Sequence, residues 1–192
     1  MINKIKFVGI SLIAVFVLSG CTDEKDGQDA EHDMAVHKTE DSNEMDHSTM
    51  NHSSDGEIPP RLQESTDPAF PIGSKAIIKA NHMEGMNNAE ATIVGAYDTT
   101  VYTVSYTPIN GEEPVSNHKW VIHQELEGAG ETPLKPGDKA TIKADHMEGM
   151  KGATATIDTA ITTTVYLVDY VSTSGEKVTN HKWVTESELS EK

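Results

Sequence analysis

The sequence predicts an all-β protein: two tandem small SH3-like barrels following a disordered N-terminal tail. Three observations carry this. A unit of about sixty residues is written twice. Within each unit Tyr102, Val104 and Tyr106 alternate with Thr103 and Ser105, and Tyr166, Val168 and Tyr170 with Leu167 and Asp169, the period of a half-buried strand. Asn110-Gly111 and Ser174-Gly175 then stand where hairpin turns belong. Composition agrees. Only 36% of the 192 residues are hydrophobic and 5% aromatic, which suits small domains plus a solvated portion rather than one large core.

The chain opens on an address. Lys4 and Lys6 precede an apolar run over residues 7–18, too short to span a bilayer comfortably and typical of a secretory signal. The run ends Leu18-Ser19-Gly20-Cys21, which resembles the bacterial lipobox. That resemblance makes residues 1–20 a lipoprotein signal peptide and Cys21 the lipidated first residue. The rest of the chain is then extracytoplasmic, held on the outer leaflet of the cell membrane.

Residues 21–65 read as the tail. About a dozen acids and two lysines lie between Asp23 and Glu57, with almost no aliphatic residues, so burial cannot offset ordering entropy. Histidine and methionine interrupt this linker at His32, Met34, His37, Met45, His47, Met50 and His52. Methionine has no packing role without a core. Thioether sulfur selects Cu(I), and imidazole binds Cu(I), Cu(II), Zn or Ni. These residues are therefore candidate weak metal ligands, and the run from Met45 to His52 resembles the repeats of exported copper-handling proteins.

The two repeats follow at residues 66–129 and 130–192. Asn81-His82-Met83-Glu84-Gly85-Met86 returns as Asp145-His146-Met147-Glu148-Gly149-Met150, and Asn117-His118-Lys119-Trp120-Val121 as Asn180-His181-Lys182-Trp183-Val184. Residues 75–80 and 91–96 read as strands, the Tyr-Val-Tyr segment as a third and the Trp-Val segment as a fourth. Thr185 with Glu188 reads as a cap on a last short turn.

Candidate chemistry sits in the copied segments. In one helical turn His82, Met83 and Met86 would share a face, and so would His146, Met147 and Met150. One imidazole and two thioethers make a soft three-coordinate site for Cu(I), with Cu(II) as the alternative. Two methionines at a turn can equally plug a small barrel, and on these residues alone both readings stand. Methionine beside histidine in tail and repeats alike favours ligation. His118 and His181, two residues before their tryptophans and so on the same face, are further candidate ligands. The tryptophans read as core.

Other classes are disfavoured. The charge of −16, from 15 basic and 31 acidic residues, repels phosphate backbones, so nucleic acid is no expected partner. With Cys21 the only cysteine, disulfides within the chain and grouped-thiolate metal centres are excluded. No HExxH, GxSxG or P-loop occurs, and no enzyme activity is expected.

The doubled His-Met-Glu-Gly-Met and Asn-His-Lys-Trp-Val segments, behind a lipobox and a His/Met tail, resemble the YdhK family of Gram-positive lipoproteins. The resemblance covers residues 66–190. It implies a duplicated small β domain on the outer face of the membrane, and some relatives are associated with copper resistance. The expected function is a copper-binding lipoprotein that buffers or sequesters copper, with a copper exporter or oxidase as its protein partner. The alternative is a cell-wall or protein-interaction module.

Overall fold

The computed structural model describes residues 53–192, and these are all-β. Cys21 and the tail candidates His32, Met34, His37, Met45, His47, Met50 and His52 lie outside the described residues. Among the described residues no helix is long and apolar enough to cross a membrane.

Among the described residues nine strands form one sheet. They are β1 Gln63–Glu64, β2 Lys75–Ile78, β3 Glu90–Tyr106, β4 Val115–Ile122, β5 Leu126–Glu127, β6 Lys139–Ile142, β7 Thr154–Val171, β8 Lys177–Thr185 and β9 Leu189–Ser190. Short 3-10 turns, His123–Glu125 and Glu186–Glu188, precede β5 and β9. The sheet is open, in the order β5-β6-β7-β3-β2-β9, with β1 and β4 added on β3 and β8 on β7.

The strands expected at residues 91–96 and in the Tyr-Val-Tyr segment are one strand, β3. The polar residues between them do not break it, because β3 pairs antiparallel with β7 from Ala91↔Tyr170 to Tyr106↔Ala155. Midway, Thr99 pairs with Thr163, its own counterpart in the second repeat. Hydroxyls bond across this centre, Thr100 to Thr162 at 3.1 Å and Thr103 to Thr159 at 2.8 Å. Cross-strand threonine pairs hold a polar stretch in register. The Asn110-Gly111 and Ser174-Gly175 turns connect β3 to β4 and β7 to β8, with both glycines at positive φ.

This pairing exchanges halves between the repeats. One core joins Ala76, Ile78, Met86 and Ile93 of the first repeat to Tyr166, Val168, Val184 and Leu189 of the second. Another joins Tyr102, Val104, Val121 and Leu126 to Ile142, Met150, Ala155 and Ile157. The strand ladder agrees, since β5 closes on β6 and β9 on β2. A third cluster, between them, holds Trp120, Trp183, Val101 and Val165. The repeat is thus the unit of sequence, while each packed core belongs to both copies.

All five tyrosines share in this burial. Burial pushes Tyr106, Tyr166 and Tyr170 up to about 12, with Glu112, Glu186 and Glu176 adding to it respectively and the Phe70 amide opposing it at Tyr166. Burial also raises Tyr97 and Tyr102. An unfolded tyrosine ionises near 10. Between about 10 and 12 the unfolded chain has therefore lost protons that the folded chain retains, and stability falls as pH rises. In a spectrophotometric titration, tyrosinate absorbance should lag that of the urea-unfolded chain and climb in one step with loss of β structure. Tyrosines ionising near 10 in the folded protein would contradict this.

Candidate functional site

The copied turns are built alike. After β2 the chain reverses through hydrogen bonds from Met86 N–H to the Met83 carbonyl and from Ala89 N–H to the Met86 carbonyl. After β6, Met150 and Ala153 repeat this with Met147 and Met150. Gly85 and Gly149 take positive φ, and the other repeat's hairpin packs against them. A Cβ on Gly85 would meet Ser172 at 2.9 Å, and one on Gly149 would meet Asn110 at 2.6 Å. Glycine is needed for both the bend and the close approach.

The turn does not gather its own histidine and methionines at one point. Met86 and Met150 are 0% exposed and belong to the two cores, while His82, Met83, His146 and Met147 line a groove of about 720 Å³. At Met86 and Met150 it is the core placement that is seen. The chain curls through successive three-residue turns, which send the fourth residue inward.

The groove instead pairs histidines across the repeats. The His82 ring stacks on His181, centroids 5.7 Å apart and planes 25° apart, and His118 lies 6.3 Å from His146. All four line the groove. Tyr170 meets the His181 ring edge-on at 5.8 Å, and Tyr106 meets His118 at 6.0 Å. The Tyr106 hydroxyl also points at the Met147 sulfur, 3.9 Å away.

His118 and Trp120 were expected on one face, and they separate. His118 lines the groove, while Trp120 enters the central cluster. The cause is a bulge: a step of two residues along β3, from Tyr102 to Val104, faces a step of three along β4, from Val121 back to His118, and β8 repeats the shift against β7. Asn117 and Asn180 sit at φ of 53° and 52° there, a region that asparagine tolerates better than most residues. This accounts for the asparagine of both Asn-His-Lys-Trp segments. Both tryptophans are buried as expected, and Lys119 supplies its own cation over the Trp120 ring at 5.0 Å. His123 is taken up by the Tyr102 hydroxyl at 2.8 Å and the Gly130 carbonyl at 3.1 Å.

Two glutamates tie histidines and tryptophans together across the repeats. Glu125 is 5% exposed. Its carboxylate accepts from Trp183 Nε1 at 3.2 Å, from Ile122 N–H at 3.0 Å and from His146 Nε2 at 2.9 Å. Burial alone pushes the Glu125 carboxyl up, but the facing His146 imidazole, the Ile122 amide and the indole bring it below its ordinary value. Glu188 accepts from Trp120 Nε1 at 2.8 Å and lies 3.9 Å from His82 Nδ1. It also accepts from the Thr185 N–H at 3.1 Å, the cap expected of that pair. Glu125 carried no expectation. Its signal was its position five residues after Trp120, which Glu188 repeats five after Trp183.

A carboxylate can only accept, so His146 Nε2 donates to Glu125, and in the neutral ring Nδ1 is then the acceptor. A histidine oriented this way by a buried carboxylate is the usual supporting arrangement behind a metal-binding imidazole. The donors on the open half of the groove are His118, His146 and the Met147 thioether. Among the described residues no three His, Cys, Asp or Glu side chains stand together as a metal-holding group.

Fold and site together define a duplicated all-β protein whose repeats exchange halves around a histidine-lined groove. The chain belongs to the DUF1541 family, described as a protein of unknown function, whose model matches residues 72–123 and 136–186. It is 52% identical to the uncharacterized protein YdhK of Bacillus subtilis (strain 168) over all 192 residues and 91% of that protein. A crystal structure of the Bacillus subtilis YdhK, a DUF1541 family protein, matches at 58% identity with a TM-score of 0.73, covering 76% of this chain and all of that one. A solution structure of the C-terminal domain of B. subtilis YdhK matches at 61% identity and a TM-score of 0.62, over 64% of this chain and 94% of that one.

Proposed function

We propose that this protein is an extracytoplasmic copper-binding lipoprotein, anchored through Cys21 to the outer leaflet of a Gram-positive cell membrane, that buffers copper at the cell surface. The observation carrying this reading is the cross-repeat pairing of His82 with His181 and of His118 with His146 along one groove. Duplication alone would copy histidines; it would not require them to meet. Two imidazoles with a nearby thioether suit Cu(I), which accepts two or three soft or borderline donors. Met83 and Met147 are the thioethers of this reading, and Met86 and Met150 drop out as core. We read each packed core as a small SH3-like barrel assembled from both repeats. The tail is a weaker, faster-exchanging store, and a copper exporter or oxidase is the receiving partner.

The test is an anaerobic Cu(I) titration against a chromophoric chelator, on residues 22–192 and on residues 53–192. The shorter protein should retain about two ions, one per histidine pair. His118→Ala and His181→Ala together should abolish tight binding, while Met86→Leu and Met150→Leu should leave it intact, since volume is nearly kept. Tight binding that survives loss of both histidines would remove the groove as the site. Failure of both proteins to compete would end the copper reading.

A further inference from the structure

Two strand edges in this fold are copies of each other, and among the described residues they are not equally covered. Ser116, Asn117, His118 and Lys119 of β4 correspond to Thr179, Asn180, His181 and Lys182 of β8. Their registers match: His118 pairs with Val104 and Val115 with Tyr106, as His181 pairs with Val168 and Val178 with Tyr170. Along β8 runs the segment that precedes β1. Ser54 N–H donates to the Thr179 carbonyl at 3.0 Å, and Thr179 N–H donates to Ser53 Oγ at 3.0 Å. Ser54 Oγ donates to the Asn180 carbonyl at 2.7 Å, and the Asn180 side-chain amide donates back to the Ser54 carbonyl at 3.4 Å. Lys182 Nζ lies 3.7 Å from Asp55 and donates to the Glu57 carbonyl. At the closest approach, a Cβ on Gly56 would stand 3.1 Å from the Asn180 amide.

The covered edge therefore displays its own ligand chemistry: a short turned segment with Gly56 at positive φ, hydroxyls beside the bulge, a residue without a Cβ over the asparagine, and an acid at the lysine. On β4 the same groups face outward. Ser116 and Asn117 are exposed where Thr179 and Asn180 are half-buried, and His118 is half-buried where His181 is buried. This half of the groove is also basic. Lys119, Lys143 and Lys151 line it beside Asp145 and the buried Glu125, an excess of cations in a chain with twice as many acidic as basic residues. Lys119 rests on Trp120 and lies 3.7 Å from Glu188, with 41% of its side chain exposed, so its ammonium is within reach of a second anion.

We propose that the β4 edge is a docking site for a short acidic peptide of a partner protein, bound as residues 53–57 are bound on β8. Such docking takes affinity from one backbone bond and several side-chain bonds, as Ser53 and Ser54 make with Thr179 and Asn180. Here selectivity rests on a glycine facing Asn117 and an acid facing Lys119.

The probe is a synthetic peptide of residues 51–60, titrated into residues 22–192 and followed by amide chemical shifts. One peptide should bind, moving the resonances of Ser116, Asn117 and His118. Lys119→Glu should weaken binding by about tenfold, because it sets like charges against each other. A peptide carrying Gly56→Val should not bind. Protein shortened to residues 58–192 should take a second peptide, at Thr179 and Asn180. Binding at Thr179 and Asn180 of the shortened protein with no response at β4 would overturn the proposal. So would β4 shifts indifferent to Lys119→Glu and to Gly56→Val, or no binding to either protein. None of these readouts involves copper, so the outcome stands apart from the metal reading.

Discussion

Expressed separately, residues 66–129 and residues 130–192 should give no folded monomer. Each core takes about half of its side chains from each copy, as Ile78 and Met86 against Tyr166 and Val168 show. A fully buried aliphatic or aromatic side chain contributes about 1.5–3 kcal/mol, and a whole domain is stable by only about 5–15 kcal/mol. Losing the facing half of both cores exceeds that margin several times over. The pairing of Thr99 with its own counterpart Thr163 adds a sharper expectation. The long strand of one repeat is built to pair with a copy of itself, so a single repeat that folds should do so as a homodimer, the single chain being in effect a fused pair. Far-ultraviolet circular dichroism with sedimentation, on each fragment alone and on an equimolar mixture, checks this. Unfolded fragments that regain β structure on mixing, or dimers of one fragment, fit. A folded monomer of either fragment at micromolar concentration refutes the exchange of halves.

That exchange marks the limit of what the sequence could convey. The all-β class, the duplication and the hairpin turns were legible, because alternation and Asn-Gly or Ser-Gly pairs are local signals. Which strands meet is not local. A repeat offset of about sixty residues fits two successive domains as well as two cores that share strands. Only the antiparallel run from Ala91↔Tyr170 to Tyr106↔Ala155 separates them. The site divides in the same way. His82, His118, His146 and His181 were legible as candidates from their copying, but spacing points to partners inside one repeat, at Met86 and Met150, whereas each histidine meets one of the other repeat. Asn117 gave the reason for a shift of face that simple alternation misses, since one bulged residue sends His118 and Trp120 to different surroundings.

Glu125→Ala should be the most destabilising single substitution in the groove, at about 3–5 kcal/mol, because several buried donors lose one acceptor together. It strips an acceptor from the Trp183 indole, the Ile122 amide and the His146 imidazole at once. Each buried donor left unsatisfied costs about 1–3 kcal/mol. The equivalent change at Glu188 should cost less, about 1–2 kcal/mol. Its side chain is 12% exposed against 6% for Glu125, and its histidine stands 3.9 Å away instead of 2.9 Å, so water can replace more of what is lost. The two positions are copies in sequence, so their difference isolates burial and distance from residue type. Urea unfolding of both variants reads it, with Glu125→Gln as the shape-preserving control. The carboxyl of Glu125 is held below its ordinary value. Its contribution is therefore present above the ordinary carboxylate range and is lost as pH falls through the lowered value. The advantage of the native protein over Glu125→Gln should accordingly shrink in acid and be full at neutral pH. Equal losses at Glu125 and Glu188, or a loss at Glu125 within about 0.5 kcal/mol of zero as at an ordinary surface site, would show that the carboxylate does not tie the two repeats together.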